Sequence, residues 1–439
     1  MVLIGLMSSM VNKQITEERE NRLGKSLSAD RLTKGLAMFD VEFSTEHEQI
    51  LHETMIDAEH PGTILRDFGA VLEYVGTEGV RAGGKYNLLP IEAIPLLDER
   101  LTRPLRLKLK RPQLRSHPYL EGLHLLLRAT GLTTVDGVGD KARLRVDTVV
   151  AKQWNRLNPT ERYFTLMEAA FLHANGAMIG EASRSLDSPL LTCLNAWHSL
   201  PKNGQRFDLS KPTYVYFMYR RFSLLALTDL FELIHVEHPS EPVIPWCPQA
   251  VRHTPFGDAA LTLLKRQDIA ILMRDDEPPP FGAWQSLFQP YFPEWRENLV
   301  LPKPELREGV FVFKVSLGKM WRQIAIPDSL TVDDLADAIL DAVDFDDEHL
   351  YEFSFRDRLG KTAQIRHPYD KEGPSTDEFP IGELPLQPGQ SMTFLFDYGD
   401  CWKFNVKLEK IDPPNPRMKT PRLVAQQGKA PEQYPDAEW

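Results

Sequence analysis

The stretch FVFKVSLGKMWRQIAI, residues 311–326, decides the fold class of the C-terminal part of the chain. Apolar side chains alternate along it, at Phe311, Phe313 and Val315, and they resume after the turn-forming pair Gly318-Lys319. Two alternating runs around a glycine turn predict a β-hairpin with one buried face. The period then changes, because Thr331 can cap a helix whose apolar residues follow at spacings of three and four.

Further strands are predicted after that helix. Alternation returns over residues 351–355, 392–396 and 402–408. A hairpin, a helix and further strands in this order predict a β-grasp-like mixed sheet that is crossed by one helix. Residues 45–300 carry mainly helical patterns, so the predicted fold class of the whole chain is α+β.

One helical pattern upstream has two interpretations. Residues 119–128 predict a helix, and two β-prone runs around residues 136–140 predict a hairpin directly after it. A helix followed by a hairpin is the outline of a winged helix, and it is also a common connection in unrelated folds. The sequence leaves both interpretations open.

The chain of 439 residues is long enough for two or three domains. Pro302 and Pro304 favour extended backbone and place a boundary near residue 305. The predicted organisation comprises an N-terminal tail (1–44), a mainly helical region (45–300), a linker (301–307), an α+β domain (308–412) and a proline-rich arm (413–439).

Composition excludes several classes of protein. Hydrophobic residues make up 42% and charged residues 26%, values typical of soluble globular chains. An uninterrupted run of about 18 apolar residues is missing, which excludes a membrane span. The three cysteines are widely spaced, which excludes a disulfide framework and a C-x-x-C zinc site. The first residues do not have the pattern of a signal peptide, so we expect the cytoplasm.

Charge is distributed unevenly along the chain. The net charge of −11 argues against a globally basic nucleic-acid binder, and residues 307–412 alone hold 21 acidic and 12 basic residues. Residues 100–115, RLTRPLRLKLKRPQLR, hold seven basic residues and no acidic one, and two prolines make this basic arm extended. It could contact nucleic-acid phosphates through Arg103, Arg106, Lys108, Lys110, Arg111 and Arg115. The alternative is that it docks against the acidic C-terminal domain or against a partner protein.

A candidate chemical site is the turn Asp397-Tyr-Gly-Asp400. Two carboxylates three residues apart could bind a cation, but carboxylates also stabilise turns by accepting hydrogen bonds from their own backbone. The chain has no phosphate-binding loop, dinucleotide fingerprint, G-x-S-x-G or H-E-x-x-H motif. We therefore predict no catalytic residue, no metal ligand and no cofactor.

Several motifs of the C-terminal region recur in a fixed order. They are residues 311–317, Trp321-Arg322-x-Ile324, the helix after Thr331, His349-Leu-Tyr-x-Phe353, Phe394-x-Phe-Asp-Tyr-Gly-Asp-x-Trp402 and Leu408-Glu-Lys-Ile411. Together they resemble the plasmid pRiA4b ORF-3-like domain family over residues 308–412, and the upstream helical region resembles that of longer members. The resemblance implies an α+β domain and a bacterial, often mobile-element-associated setting, but no established reaction. The chain departs from the family pattern Gly-Asp-x-Trp-x-His, since Phe404 stands where the histidine would be.

Three hypotheses about function follow. The first is a non-enzymatic interaction or accessory protein whose C-terminal domain binds an unknown protein. Its candidate contacts are Trp321, Arg322, His349, Tyr351, Asp397, Tyr398, Gly399, Asp400 and Trp402. The second is a DNA-associated protein that uses the helical region and the basic arm. The third is a metal-dependent hydrolase that uses Asp397 and Asp400, which would have to converge with a third ligand.

Overall fold

A computed structural model describes residues 42–181, 188–207, 222–238, 246, 248–266, 278–302, 305–370 and 373–434. The described part up to residue 302 is mainly helical, and the part from residue 305 onward forms one large sheet with a helix. The predicted α+β class is therefore confirmed. Among the helices that the structure describes, none combines the length and the apolar character that crossing a bilayer requires.

The helical region contains ten α-helices within its described ranges, together with two small antiparallel sheets. The helices are α1 (Thr45–Glu53), α2 (Ile64–Val75), α3 (Ala93–Asp98), α4 (Pro118–Ala129), α5 (Thr148–Trp154), α6 (Pro159–Glu168), α7 (Pro189–His198), α8 (Phe222–Leu230), α9 (Pro255–Lys265) and α10 (Gln285–Phe288). The strands are β1 (Val80–Arg81), β2 (Thr133–Asp136), β3 (Arg143–Val146), β4 (Gln205–Arg206), β5 (Ile234–Glu237) and β6 (Ala250–His253). The strand orders are β1-β3-β2 and β4-β6-β5.

The predicted helix over residues 119–128 and the hairpin after it are both present, as α4 and the β2–β3 pair. All twelve residues of α4 are buried. Gly122 permits this burial, because a Cβ atom there would lie 2.8 Å from Leu227 Cγ and 3.0 Å from the Ser223 carbonyl oxygen on α8. A helix that reads DNA must present an exposed face to a groove. Helix α4 has none, so the winged-helix-like interpretation does not describe its role.

The C-terminal domain is a seven-stranded sheet in the order β10-β9-β11-β12-β7-β8-β13. Its elements are β7 (Val310–Leu317), β8 (Met320–Pro327), α11 (Val332–Val343), β9 (Tyr351–Arg356), β10 (Thr362–Arg366), β11 (Ser391–Phe396), β12 (Trp402–Asp412) and β13 (Arg422–Gln427). The predicted hairpin, the helix cap and the later strands are all found. Thr331 accepts a hydrogen bond from the Asp334 amide (3.2 Å), and the Asp334 carboxylate accepts one from the Thr331 amide (2.8 Å).

The prediction of a mixed sheet was wrong, because all six pairings in this sheet are antiparallel. Helix α11 connects β8 to β9, and β9 runs in the same direction as β8, as expected for a strand–helix–strand crossover. However, β7, β12 and β11 lie between β8 and β9. The two strands that run in parallel therefore never pair with each other.

Helix α11 covers one face of this sheet. The side chains beneath it are fully buried aromatic and aliphatic residues, among them Phe313, Phe353 and Phe394. We call the opposite side the open face. At one end of the open face, Met418 packs against Val310, Val312 and Ala325.

The arm that was predicted over residues 413–439 contributes to the sheet. Its residues 422–427 form β13 and pair with β8 at the edge. The helical region and the sheet also touch, because the turn between β9 and β10 inserts Leu359 into the core of the helical region. Arg128 donates a hydrogen bond to the Leu359 carbonyl oxygen (3.1 Å), and Arg358 forms an ion pair with Asp147 (3.2 Å).

Candidate functional site

Most of the predicted partner-binding residues lie at one end of the large sheet. At this end Phe396 pairs with both Tyr351 and Trp402, and Leu317 pairs with Met320 across the β7–β8 turn. The turn at residues 397–401, the turn at residues 318–319 and the residues just before β9 are thus neighbours. We call this end of the sheet the turn end.

The turn between β11 and β12 uses Asp397 as a structural residue. Its carboxylate accepts hydrogen bonds from the amides of Gly399 (2.7 Å) and Asp400 (3.4 Å), and only 9% of the residue is exposed. Asp397 and Cys401 both adopt positive φ angles, of 55° and 57°, and the Cys401 amide donates to the Asp397 carbonyl (2.7 Å). A carboxylate that holds its own turn in this way has little capacity left for a cation.

The metal-dependent hydrolase hypothesis has no support in this geometry. Among the described residues, no group of three or more His, Cys, Asp or Glu side chains is arranged to hold a metal ion. Asp400 is exposed, whereas Asp397 is buried and its carboxylate accepts hydrogen bonds from amides of its own turn.

Two other predicted contacts, Arg322 and Tyr351, are buried and have partners inside the domain. Arg322 donates to the Ala342 carbonyl oxygen (2.7 Å) at the end of α11 and to the Gln427 carbonyl oxygen (3.2 Å) at the end of β13. The Tyr351 hydroxyl donates to the Asp333 carboxylate, and burial raises the pKa of Tyr351 well above its usual range. Both side chains join elements of the domain and cannot touch a partner directly.

The two predicted tryptophans lie on opposite faces of the sheet. Trp402 is partly buried on the α11 side, where it packs edge-on against Phe345 at 5.1 Å between ring centroids. Trp321 lies on the open face, where its indole donates to the Gln427 side chain (2.9 Å) and Lys314 Nζ sits 4.6 Å from its ring centroid. They therefore do not form one aromatic surface.

The exposed part of the turn end is rich in tyrosine. Leu350, Tyr369, Tyr398 and Tyr434 are 40%, 84%, 43% and 45% exposed. The Asp397 amide donates to the Leu350 carbonyl (3.0 Å), which holds Leu350 next to Tyr398. The His367 ring lies 5.0 Å from the Tyr369 ring, and His349 lies 6.1 Å from the Tyr434 ring. Large amphipathic side chains that are exposed together on rigid strand ends suit protein contact.

His349 connects this surface to the end of the arm. Its Nε2 atom lies 3.0 Å from the Tyr434 hydroxyl, which donates to the Asp346 carboxylate (2.8 Å). Gln433 donates to the same carboxylate (2.9 Å). Desolvation and the contact with Asp346 raise the pKa of Tyr434 to about 12, so this hydroxyl remains a donor at neutral pH. The last described residues of the arm thus lie at the turn end, and Tyr434 is one of its tyrosines.

Residues 310–434 match the family model described as plasmid pRiA4b ORF-3-like protein. The predicted resemblance of the C-terminal domain is thereby confirmed, and the match extends beyond the predicted end at residue 412. The match includes every strand of the large sheet, the turn end and Tyr434. The pRiA4b ORF-3-like domain is also similar to a solved protein of unknown function, MM3350 from Methanosarcina mazei Go1. That similarity has 27% identity and a TM-score of 0.26, and it covers 28% of this chain and 72% of the other. No curated protein matches the chain.

Sequence reasoning identified Tyr398 on the pRiA4b ORF-3-like domain but missed Leu350, Tyr369 and Tyr434. Leu350 directly precedes the strand that is predicted from residue 351, and a strand end predicts a surface position, so this residue carried a usable signal. Tyr369 and Tyr434 follow β10 and β13, two strands that the sequence analysis did not predict. The sequence could not show that these loops lie at the same end of the sheet.

The contacts that hold the basic arm, among the residues that the structure describes, lie within the helical region. Arg103 forms an ion pair with the buried Asp229, and Arg106 forms one with Glu99 (3.2 Å). Asp98 accepts hydrogen bonds from the backbone amides of Leu105 and Arg106. The arm is therefore held by acids of its own region. The other candidates, which are exposed and in no ion pair with any described residue, are Lys108, Lys110, Arg111 and Arg115.

Proposed function

We propose that this chain is a non-enzymatic interaction protein whose pRiA4b ORF-3-like domain binds a partner protein at the turn end. The observation that carries the proposal is the group of four exposed residues Leu350, Tyr369, Tyr398 and Tyr434. An accessory role for a plasmid or another mobile element is part of the proposal and rests on the description of the family. The turn end would supply the contact surface, and the rest of the domain would hold it rigid.

Exposed tyrosines suit a binding surface because a tyrosine side chain loses little entropy when a partner binds. A tyrosine offers a large contact area with few rotatable bonds, and its hydroxyl still meets water when the partner is absent. The side chains behind this surface are locked by their own contacts. Tyr351 is hydrogen-bonded to Asp333, and Asp397 fixes its turn. Binding would therefore order few groups that are not ordered already.

The proposal is tested by site-specific photo-crosslinking in cells that carry the gene. A photoreactive amino acid replaces Tyr369 in one variant and Tyr398 in another, and Ile91, which is similarly exposed in the helical region, in a control. The same protein should be crosslinked from positions 369 and 398 but not from position 91. Failure of both turn-end positions to yield a common product would overturn the proposal.

Dependence of the complex on these side chains gives a second readout. The variant Leu350→Ser/Tyr369→Ser/Tyr398→Ser should lose the crosslinked partner in co-purification. Ile91→Ser/Leu96→Ser/Val149→Ser changes three other exposed apolar side chains and should retain it. Tyr434 is left unchanged, because its hydroxyl also holds the end of the arm. Equal recovery with both variants would contradict the assignment of the surface.

DNA association through the basic arm is the second candidate function. One observation favours it, namely that four cations of the arm are exposed and lie in no ion pair with a described residue. Four phosphate contacts predict a slope of about −3.6 for log affinity against log salt on duplex DNA. Fluorescence anisotropy should lose this slope when Lys108, Lys110, Arg111 and Arg115 are replaced by Gln. A slope near zero for the unmodified chain would exclude this function.

A further inference from the structure

The open face of the sheet carries lysines although the domain is acidic. Lys403, Asn405 and Lys407 alternate with the buried residues Phe404 and Val406 along β12, so the pleat directs all three to the open face. They are exposed, and Lys314 on the next strand is partly exposed. We call this surface the lysine face. Its members are Lys314, Ser316, Trp321, Lys403, Asn405 and Lys407.

The register of β7 and β12 brings positive charges together on the lysine face. Lys407 stands directly opposite Lys314 across the β12–β7 pair, and Asn405 stands opposite Ser316, which in turn faces Trp321. Like charges that are directly opposite on one face destabilise a sheet. An anion bound between Lys314 and Lys407 would remove this repulsion.

The nearby carboxylates do not neutralise the lysine face. Glu409 accepts a hydrogen bond from Gln323 (2.6 Å), and Asp412 pairs with Lys410 (2.8 Å). Within the described ranges, Lys314, Lys403 and Lys407 take part in no ion pair. Glu352 also lies on the open face, two strands away from Lys403, and accepts a hydrogen bond from Gln364 (3.0 Å). Many other acids of the domain lie on the opposite side of the sheet. They include Asp333, Asp334, Asp337, Asp341, Asp344 and Asp347, in and after α11. An anionic partner would therefore be steered to the lysine face and away from the helix.

We propose that the lysine face binds single-stranded nucleic acid. The three lysines suit phosphates, the Asn405 amide and the Ser316 hydroxyl suit base edges or sugars, and the Trp321 ring offers a surface for stacking. An acidic peptide would need only the lysines and would leave the amide, hydroxyl and aromatic groups unused. A duplex does not fit, because the lysine face is made of strands paired within the sheet and offers no helix or free ribbon to enter a groove.

The salt dependence of binding follows from the number of phosphate contacts. Each phosphate contact on a single strand contributes about −0.7 to the slope of log affinity against log salt, so three lysines predict a slope of about −2. Affinity should then fall roughly 16-fold between about 50 mM and about 200 mM salt. The measurement is fluorescence anisotropy of the full chain with labelled oligo(dT) and oligo(U) of equal length. Tighter binding of one oligomer would show whether DNA or RNA is preferred, and either result supports the proposal.

The decisive variant is Lys314→Gln/Lys403→Gln/Lys407→Gln. It should bind both oligomers at least about 10-fold more weakly at low salt and should lose most of the slope. Its melting temperature should not fall, since the repulsion between Lys314 and Lys407 is removed. The matched control Lys152→Gln/Arg156→Gln/Lys202→Gln removes the same charge from exposed positions of the helical region outside the basic arm and should leave binding to oligo(dT) unchanged.

Three results would overturn the proposal. The first is the absence of binding to both oligomers at low salt. The second is loss of binding when Lys108, Lys110 and Arg111 are replaced by Gln while the lysine-face variant binds normally, which would move the site to the basic arm. The third is competition by poly-glutamate that is as effective as unlabelled oligo(dT), which would mean that the face recognises acidic chains in general.

Discussion

Replacing Arg322 by Ala should release the end of the arm and weaken the edge of the sheet. The guanidinium is 5% exposed and donates to carbonyl oxygens of Trp321, Ala342, Gln427 and Gly428 over 2.7–3.2 Å. These carbonyls belong to β8, to α11 and to the end of β13. One side chain therefore joins three elements that are distant in sequence.

These contacts set the loss of stability that Arg322→Ala should cause. A buried acceptor that loses its donor costs about 1–3 kcal/mol. Gln427 and Gly428 are exposed, so water can replace the guanidinium at their carbonyls, whereas Ala342 is partly buried. With the lost packing of the arginine stem, the expected loss is about 3 kcal/mol. The free-energy loss for Arg322→Lys should be smaller than for Arg322→Ala but larger than zero, because an ammonium is a point charge that cannot span the same carbonyls.

The assay is hydrogen exchange of the β8–β13 pair, followed by mass spectrometry. A loss of about 3 kcal/mol predicts exchange on the order of 100-fold faster there, since about 1.4 kcal/mol corresponds to a factor of ten. Exchange in the helical region should not change. The control Arg422→Ala removes an exposed arginine from the same sheet edge and should exchange like the unmodified chain. An Arg322→Ala effect below about 1 kcal/mol, or one shared with the control, would refute the structural role of Arg322.

Three further predictions concern charge and packing. Lys407→Glu places a carboxylate opposite Lys314, so the sheet should gain about 0.2–1 kcal/mol and melt higher in calorimetry at low salt; a lower melting temperature would contradict this. Burial and, to a lesser extent, Glu181 raise the pKa of Glu121 to about 7. The folded state thus binds more protons than the unfolded state between the ordinary pKa of 4.5 and about 7, and stability should fall as pH rises through that window. Glu121→Gln should flatten this dependence in melting curves and stabilise the chain above pH 7; an unchanged pH profile would exclude the assignment. Gly122→Ala forces a methyl group against Leu227, so denaturant unfolding should show a loss of about 1–3 kcal/mol, and an unchanged midpoint would show that α4 and α8 can move apart.

Local patterns predicted the elements of the C-terminal domain well. The alternation at Phe311, Phe313 and Val315 and the cap at Thr331 depend on neighbours that are two to four residues away, and such contacts are recorded in the sequence itself. The prediction of a mixed sheet was wrong because it concerned strand pairing, which local patterns do not record. Which strands pair depends on contacts between residues far apart along the chain, and no local period reports them.

In the candidate site, too, local patterns located the turns but did not show which side chains are buried. The sequence marked Asp397, Tyr398 and His349 because they stand in or beside predicted turns, and the structure places these turns at one end of the sheet. The sequence could not distinguish Arg322 and Tyr351 from surface residues, since an arginine and a tyrosine are found both in cores and at interfaces. Their burial follows from the covering helix and from β13, which is contributed by a segment that composition alone described as an arm.

Sequence patterns alone were enough for the α+β class, for the helix α11 and the strands β7, β8, β9, β11 and β12, and for the resemblance to the pRiA4b ORF-3-like domain; they did not reveal β10. Only the tertiary structure decided which side chains share a surface. The four exposed residues Leu350, Tyr369, Tyr398 and Tyr434 come from three separate loops and the arm, and the lysine face needs Lys314 of β7 opposite Lys407 of β12. The physical reason is that side-chain periodicity is set by neighbouring residues, whereas strand order and burial are set by packing between segments far apart in the chain.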